Sequence, residues 1–108
     1  MSITDLNKID IIATRPDSDV VKLVITDPLG WEDTHGHAAL LQEKINTYIA
    51  FIESGQLATV KEPPIPESPE VWITLVAQQQ PSQDGQEFLT QVDEFLRGIG
   101  LRFEIQLR

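Results

Sequence analysis

Cysteine is absent from this chain, which excludes disulfide bonds, thiolate nucleophiles, cysteine zinc sites and iron–sulfur ligation together. Basic residues are scarce: eight Lys+Arg stand against 17 Asp+Glu, giving a net charge of −9. Lys8, Arg15, Lys22, Lys44, Lys61, Arg97, Arg102 and Arg108 form no basic stripe. The resulting field repels phosphate backbones and anionic lipid, so neither nucleic acid nor a membrane is expected as partner. No apolar run reaches the length of a membrane span, and MSITDLNKID has no basic head followed by an apolar stretch, so the cytoplasm is the expected location. Gly30 and Gly36 are isolated, and neither belongs to a glycine-rich phosphate loop.

What is present suffices for one packed domain over residues 1–108. Hydrophobic residues make up 41% and charged residues 23% of the chain, which is the globular range. Surface scaling gives a folded area of roughly 6,000 Å² against about 17,500 Å² unfolded, enough burial for a cooperative core without staples.

The clearest period lies in HAALLQEKINTYIAFIE, His37 to Glu53. Ala38, Leu41, Ile45, Tyr48, Ile49 and Ile52 recur at helical spacing, and Gln42, Glu43, Asn46 and Glu53 fall opposite, which predicts an amphipathic helix. Asp33 or Thr34 is its candidate N-cap and Gly55 its candidate left-handed C-cap. A second helical stripe, Phe88, Leu89, Val92, Phe95, Leu96 and Ile99, follows a cap candidate at Ser82, and Asp93 with Arg97 forms a favourable i,i+4 pair.

Four β-branched or alternating runs supply strands. Ile9 to Ala13 alternates with Ile9, Ile11 and Ala13 on one side, and Val20 to Thr26 has Val21, Leu23 and Ile25 in phase. Arg15 to Asp19 between them has the Pro, Asp and Ser of a turn, so a β-hairpin is expected. Val71 to Ala77 is the strongest strand, and Arg102 to Leu107 alternates with Phe103, Ile105 and Leu107 inward. Met1 to Asn7 reads as a polar lead-in open to fraying. Residues 59–70 form a stiff internal connection with prolines at 63, 64, 66 and 69. The order is ββαβαβ, and the expected fold is α+β: a two-layer sandwich of a four-stranded sheet with two helices packed on one face. The last two strands, if neighbours, are expected to be parallel; the direction of the third against the second stays open.

Chemistry-bearing residues cluster once. Glu32, Asp33, His35 and His37 put two carboxylates and two imidazoles in one short stretch, a weak candidate set for a divalent metal or for a small metal-dependent or hydrolytic enzyme. No nucleophile-elbow sequence marks Ser54, Ser68 or Ser82, and no cofactor is expected.

The sheet's second face gives the other candidate. With both helices on one side, the opposite face is expected to carry Ile12, Val20, Val24, Trp72 and Val76 beside Lys22, Thr74, Arg102 and Glu104. A tryptophan amid apolar residues on an uncovered face calls for a cover: the lead-in, the Pro-rich connection, a second copy or another protein. Trp31, in an acidic loop broken by Pro28 and Gly30, is either a staple packing near Leu40 or Leu41 or an exposed anchor. The leading expectation is a non-enzymatic protein–protein interaction module acting through Trp72, Val24, Val76, Ile12 and Trp31. A homodimer, or an acidic immunity- or antitoxin-like binding partner, are its specific forms.

ITDPLGWED, followed by LLQEKINTYIAFIESGQL and later LRFEIQL, resembles the signature of a family of small acidic bacterial proteins of unknown function. In that family a D-x-L-x-W-E-D loop precedes an LLQEKxNxYxAFIESG helix. The resemblance implies bacterial origin and a single-domain form, and it brings no catalytic residue with it.

Overall fold

The computed structural model describes residues 2–108. Its elements are β1 (Ile11–Thr14), β2 (Val20–Asp27), α1 (Thr34–Glu53), β3 (Glu70–Ala77), α2 (Gln83–Gly98) and β4 (Arg102–Leu107), with a 3₁₀ turn at Gln56–Thr59. The strands lie in the sheet in chain order, β1-β2-β3-β4. β1 runs antiparallel to β2, and β2–β3 and β3–β4 are parallel, so the sheet is mixed and the ββαβαβ, α+β expectation holds. The direction left open is now fixed: α1 and the Pro-rich connection together form the crossover that returns β3 parallel to β2.

One face of the sheet makes the core. Val21, Leu23 and Ile25 pair in register with Val71, Ile73 and Leu75, and these six join Leu41, Ile45 and Tyr48 of α1 and Leu89, Val92 and Leu96 of α2 in a single buried cluster. α1 starts at Thr34, three residues before the expected His37, because the Asp33 side chain accepts the Gly36 N–H at 3.1 Å and turns the chain into the helix there. It stops where Gly55 takes a φ of 82°, a conformation glycine reaches without steric cost. Ser82 caps α2 by accepting the Gly85 N–H at 3.1 Å, and Arg97 meets Asp93 at 3.0 Å.

Three expectations about burial are corrected. Phe95 and Ile99 are 56% and 43% exposed, because α2 buries only the line through Leu89, Val92 and Leu96. Ile105 and Leu107 of β4 are 42% and 53% exposed: β4 is an edge strand with a neighbour on one side only, and Ile105 borders an open depression beside α2. The phase of β1 is also reversed. Ile12 pairs with Leu23 and Thr14 with Val21, which places Ile12 on the helix-covered side and Ile11 and Ala13 on the open side. A one-residue change of register moves every side chain of a strand to the other face, and the length of the hairpin loop sets that register.

Met1 lies outside the described residues; from Ser2 to Asn7 the lead-in is not frayed. Ile3 is fully buried, its N–H donates to Thr26 O at 2.9 Å, and three side chains of α1 hold residues 5–10. Lys44 Nζ donates to Asp5 O, Lys8 O (2.8 Å) and Asp10 Oδ1 (2.8 Å). Thr47 Oγ1 donates to Leu6 O at 2.6 Å. The Tyr48 hydroxyl donates to Val24 O at 2.6 Å and accepts the Asp10 N–H at 2.9 Å. Asp10 in turn accepts the Thr26 N–H at 3.1 Å, so a buried ion pair ties the chain start, α1 and β2 together. Burial drives the Tyr48 phenol above its usual 10.0; the Asp10 N–H opposes this and the Asp10 charge adds to it. Among the described residues no helix is long and apolar enough to cross a membrane.

Candidate interaction surface

The register lays out the open face in cross-strand rows. Ala13, Lys22, Trp72 and Arg102 form one row; Ile11, Val24, Thr74 and Glu104 form the next; Thr26, Val76 and Gln106 complete the far end. Trp72 therefore lies between two cations, with Lys22 as its neighbour on β2 and Arg102 on β4.

The middle of this face is closed by its own polar side chains. Glu104 Oε1 accepts from Lys22 Nζ at 3.0 Å, from Thr74 Oγ1 at 3.0 Å and from Gln106 Nε2 at 3.4 Å. Burial pushes the Glu104 carboxyl up, but the hydrogen bonds from Lys22, Thr74 and Gln106 and the Lys22 charge outweigh it and hold the group below its usual 4.5. Under this network Val24 is buried and Thr74 almost entirely so.

What stays open is the end at Trp72. The Trp72 indole Nε1 donates to Glu70 Oε2 at 2.7 Å, and Lys22 Nζ stands 5.1 Å from the ring centroid, so both polar neighbours fix the ring's position. Beside the ring is a groove of about 320 Å³ walled by Ala13, Thr14, Arg15, Ser18, Val20, Lys22 and Trp72. No described residue of the lead-in or of the 59–70 connection is among its walls. The connection packs beside it: Ile65 lies against the core, and Pro64 to Pro66 border an adjoining depression with Asp17 and Asp19 of the hairpin loop, which shares Thr14, Arg15 and Ser18 with the groove.

Of the residues expected on this surface, the structure brings Trp72, Val76 and the buried Val24 to one face and takes Ile12 and Trp31 away from it. Ile11 occupies the place expected for Ile12. Arg15, Ser18 and Glu70 belong to the site and were not expected there. Arg15 and Ser18 read as turn residues, and Glu70 as the end of the Pro-rich segment, with no period to link them to Trp72.

Trp31 is 5% exposed and is no surface anchor. Its ring stacks on His37, with centroids 3.7 Å apart and planes at 22°, and lies against Gly85 at the start of α2, where an added Cβ would come within 2.7 Å of the indole. Trp31 thus joins the beginnings of both helices, a staple against His37 and Gly85 in the same buried cluster as Leu41. Its Nε1 is the buried side-chain polar atom without a partner among the described residues.

His37 is 3% exposed and points inward. Its Nδ1 meets Gly30 O at 2.8 Å and its Nε2 meets Asp27 Oδ2 at 2.6 Å, while Asp27 Oδ1 accepts the Leu29 N–H at 3.1 Å. The metal and hydrolase candidates separate accordingly: His37 bonds Asp27 in the core, Asp33 caps α1, and Glu32 and His35 are exposed. Among the described residues no three His, Asp or Glu side chains converge into a metal site.

Comparison with known proteins matches residues 1–108 to a family of unknown function (DUF6572). No curated protein and no solved structure matches the chain.

Proposed function

The chain belongs to this family of unknown function, DUF6572, and on that footing we propose that it is a non-enzymatic protein–protein interaction module whose binding surface is the open sheet face at Trp72. The observation that carries the reading is the placement of Trp72. Its indole N–H is committed to Glu70 and its ring is steadied by Lys22, so the aromatic surface borders an unfilled groove in a fixed orientation. A preorganised aromatic residue costs little entropy on binding, and tryptophan is enriched among residues that dominate interface energies. Of the groups of the competing hydrolase reading, Glu32, Asp33, His35 and His37, the last is engaged with Asp27 inside the fold. The acidic immunity- or antitoxin-like form of the module draws on the net charge of −9.

The test compares wild type with Trp72→Glu and with Phe95→Glu, a substitution at an exposed site on the helix layer. Chemical cross-linking in cells of the source organism is expected to trap a partner with wild type and Phe95→Glu and to lose it with Trp72→Glu, whose circular dichroism stays that of the folded chain. Equal trapping by all three would refute the reading.

A second reading, a homodimer, is favoured by a different observation. β4 is an edge strand whose Ile105 and Leu107 are exposed, and an uncovered apolar edge invites pairing with another chain. Light scattering that gives a dimeric mass for wild type and a monomeric mass for Leu107→Glu would support it; a monomer at all concentrations would refute it.

A further inference from the structure

We infer that β4 pairs antiparallel with β4 of a second copy about a two-fold axis at Ile105, joining the two sheets into one. The inference rests on the homodimer reading and adds the orientation and register of the seam.

The backbone leaves this edge unfilled. The Arg108 N–H donates to Ala77 O at 2.9 Å, and along a parallel pair every second residue turns both its N–H and its C=O toward the same neighbour. Glu104 and Gln106 therefore face β3, whereas Phe103, Ile105 and Leu107 turn theirs to the side where the strand order ends. Among the described residues no turn, loop or terminus pairs with these outward groups. The two edges of the sheet differ. β1 is four residues long and runs into the turn at Pro16, a short edge that discourages pairing. β4 is six residues long with neither proline nor lysine, and its residues on the helix side are all apolar.

The side chains select a second copy as the occupant, because β4 is complementary to itself in reverse. About an axis at Ile105, Phe103 meets Leu107 of the second copy, Ile105 meets Ile105, and Glu104 meets Gln106. The residues with outward backbone groups are then the ones that exchange hydrogen bonds, and each carries an apolar partner on the helix side. An axis at Glu104 sets two carboxylates opposite each other, and an axis at Gln106 carries Phe103 past the end of the second β4. Arg102 and Arg108 oppose each other at the exposed ends of the seam, where salt screens them. Within β4 Arg102 and Glu104 balance, so the seam does not bring together the acid that gives the chain its −9. Phe103 and Ile105 border an open depression of about 270 Å³ beside α2. The two-fold axis sets the second α2 on the same side of the joined sheet, so both apolar rows lie between two helices. Both Trp72 faces lie on the other side and stay uncovered.

The experiment is nuclear magnetic resonance on the full chain, with isotope-labelled and unlabelled copies equilibrated together. Close contacts between α-protons of different chains mark the non-hydrogen-bonded pairs of an antiparallel seam, and the expected contact is Glu104 with Gln106. Amide exchange at Phe103, Ile105 and Leu107 is expected to slow at least about tenfold from dilute to concentrated solution. Leu107→Glu, a substitution at an exposed site, should abolish both signals with the circular dichroism of the fold unchanged. A contact of Glu104 with Glu104, or of Gln106 with Gln106, would overturn the inference. A dimeric mass by light scattering with neither contact nor protection at β4 would overturn it while leaving the homodimer reading. A monomeric mass at all concentrations would overturn both.

Discussion

Asp27 and His37 meet at 2.6 Å with both side chains closed to solvent, and they join the end of β2 to the first turn of α1. An exposed histidine in an acidic loop would be a candidate ligand or base. Here the same residue is a structural cross-link, covered by Trp31 and tied at its other nitrogen to the Gly30 carbonyl. Two further bonds hold the loop between them: Asp27 accepts the Leu29 N–H, and the Thr34 hydroxyl donates to Trp31 O.

Replacing one member of this pair leaves the other buried without its partner. His37→Leu is expected to destabilise the fold by about 3–5 kcal/mol, because the Asp27 carboxylate then keeps only the Leu29 N–H. Combining it with Asp27→Leu should restore part of that loss, since two apolar side chains carry no uncompensated charge. Urea denaturation of the three chains checks this; a single variant as stable as wild type would show that the pair contributes nothing.

Lys44 gives a second case with a local signature. Its ammonium has three donors and meets three acceptors, two of them the carbonyls of Asp5 and Lys8. Lys44→Met should cost about 3–5 kcal/mol by stranding Asp10, and it should release the lead-in first. Hydrogen exchange at the Ile3 and Asp10 amides is expected to accelerate more than exchange at Leu23 or Ile73. Uniform acceleration across the sheet would mean that Lys44 acts on global stability alone.

Tyr48 predicts the alkaline limit. Burial raises its phenol above the usual 10.0, against the opposing Asp10 N–H, so the fold binds this proton more tightly than the unfolded chain does. Its contribution to stability is complete below 10.0 and is lost as pH rises through the folded value. Tyr48 is the sole tyrosine, so the phenolate absorbance reports it alone. That absorbance is expected to emerge only above the ordinary phenol range and together with loss of the circular dichroism of the fold. Ionisation near 10.0 with the fold intact would show the hydroxyl to be solvated.

Much of this architecture was legible in the chain because it depends on local chemistry. Asp33, Gly55 and Ser82 mark helix ends through bonds or dihedral angles that involve only their neighbours. The stripes of α1 and α2 follow from a period of 3.6, and the alternation of β2, β3 and β4 from a period of two. Net charge alone set the expectation against a nucleic-acid partner.

Tertiary structure decided everything that joins distant residues. Lys44 and His37 lie within an amphipathic helix where polar residues ordinarily face water. They are buried because β2 and residues 5–10 bring Asp27, Asp10 and two backbone carbonyls to meet them. Ile11 and Ile12 are equivalent in the sequence, and only the hairpin register chooses which one faces the open side. The exposure of Ile105 and Leu107 follows from the edge position of β4, which no periodicity encodes. The candidate surface itself belongs to this second class. Arg15, Lys22, Trp72 and Arg102 come from three strands and a turn, and parallel pairing in chain order sets them side by side. Local patterns fix what a segment is, whereas the pairing of segments fixes which charges and rings share a surface.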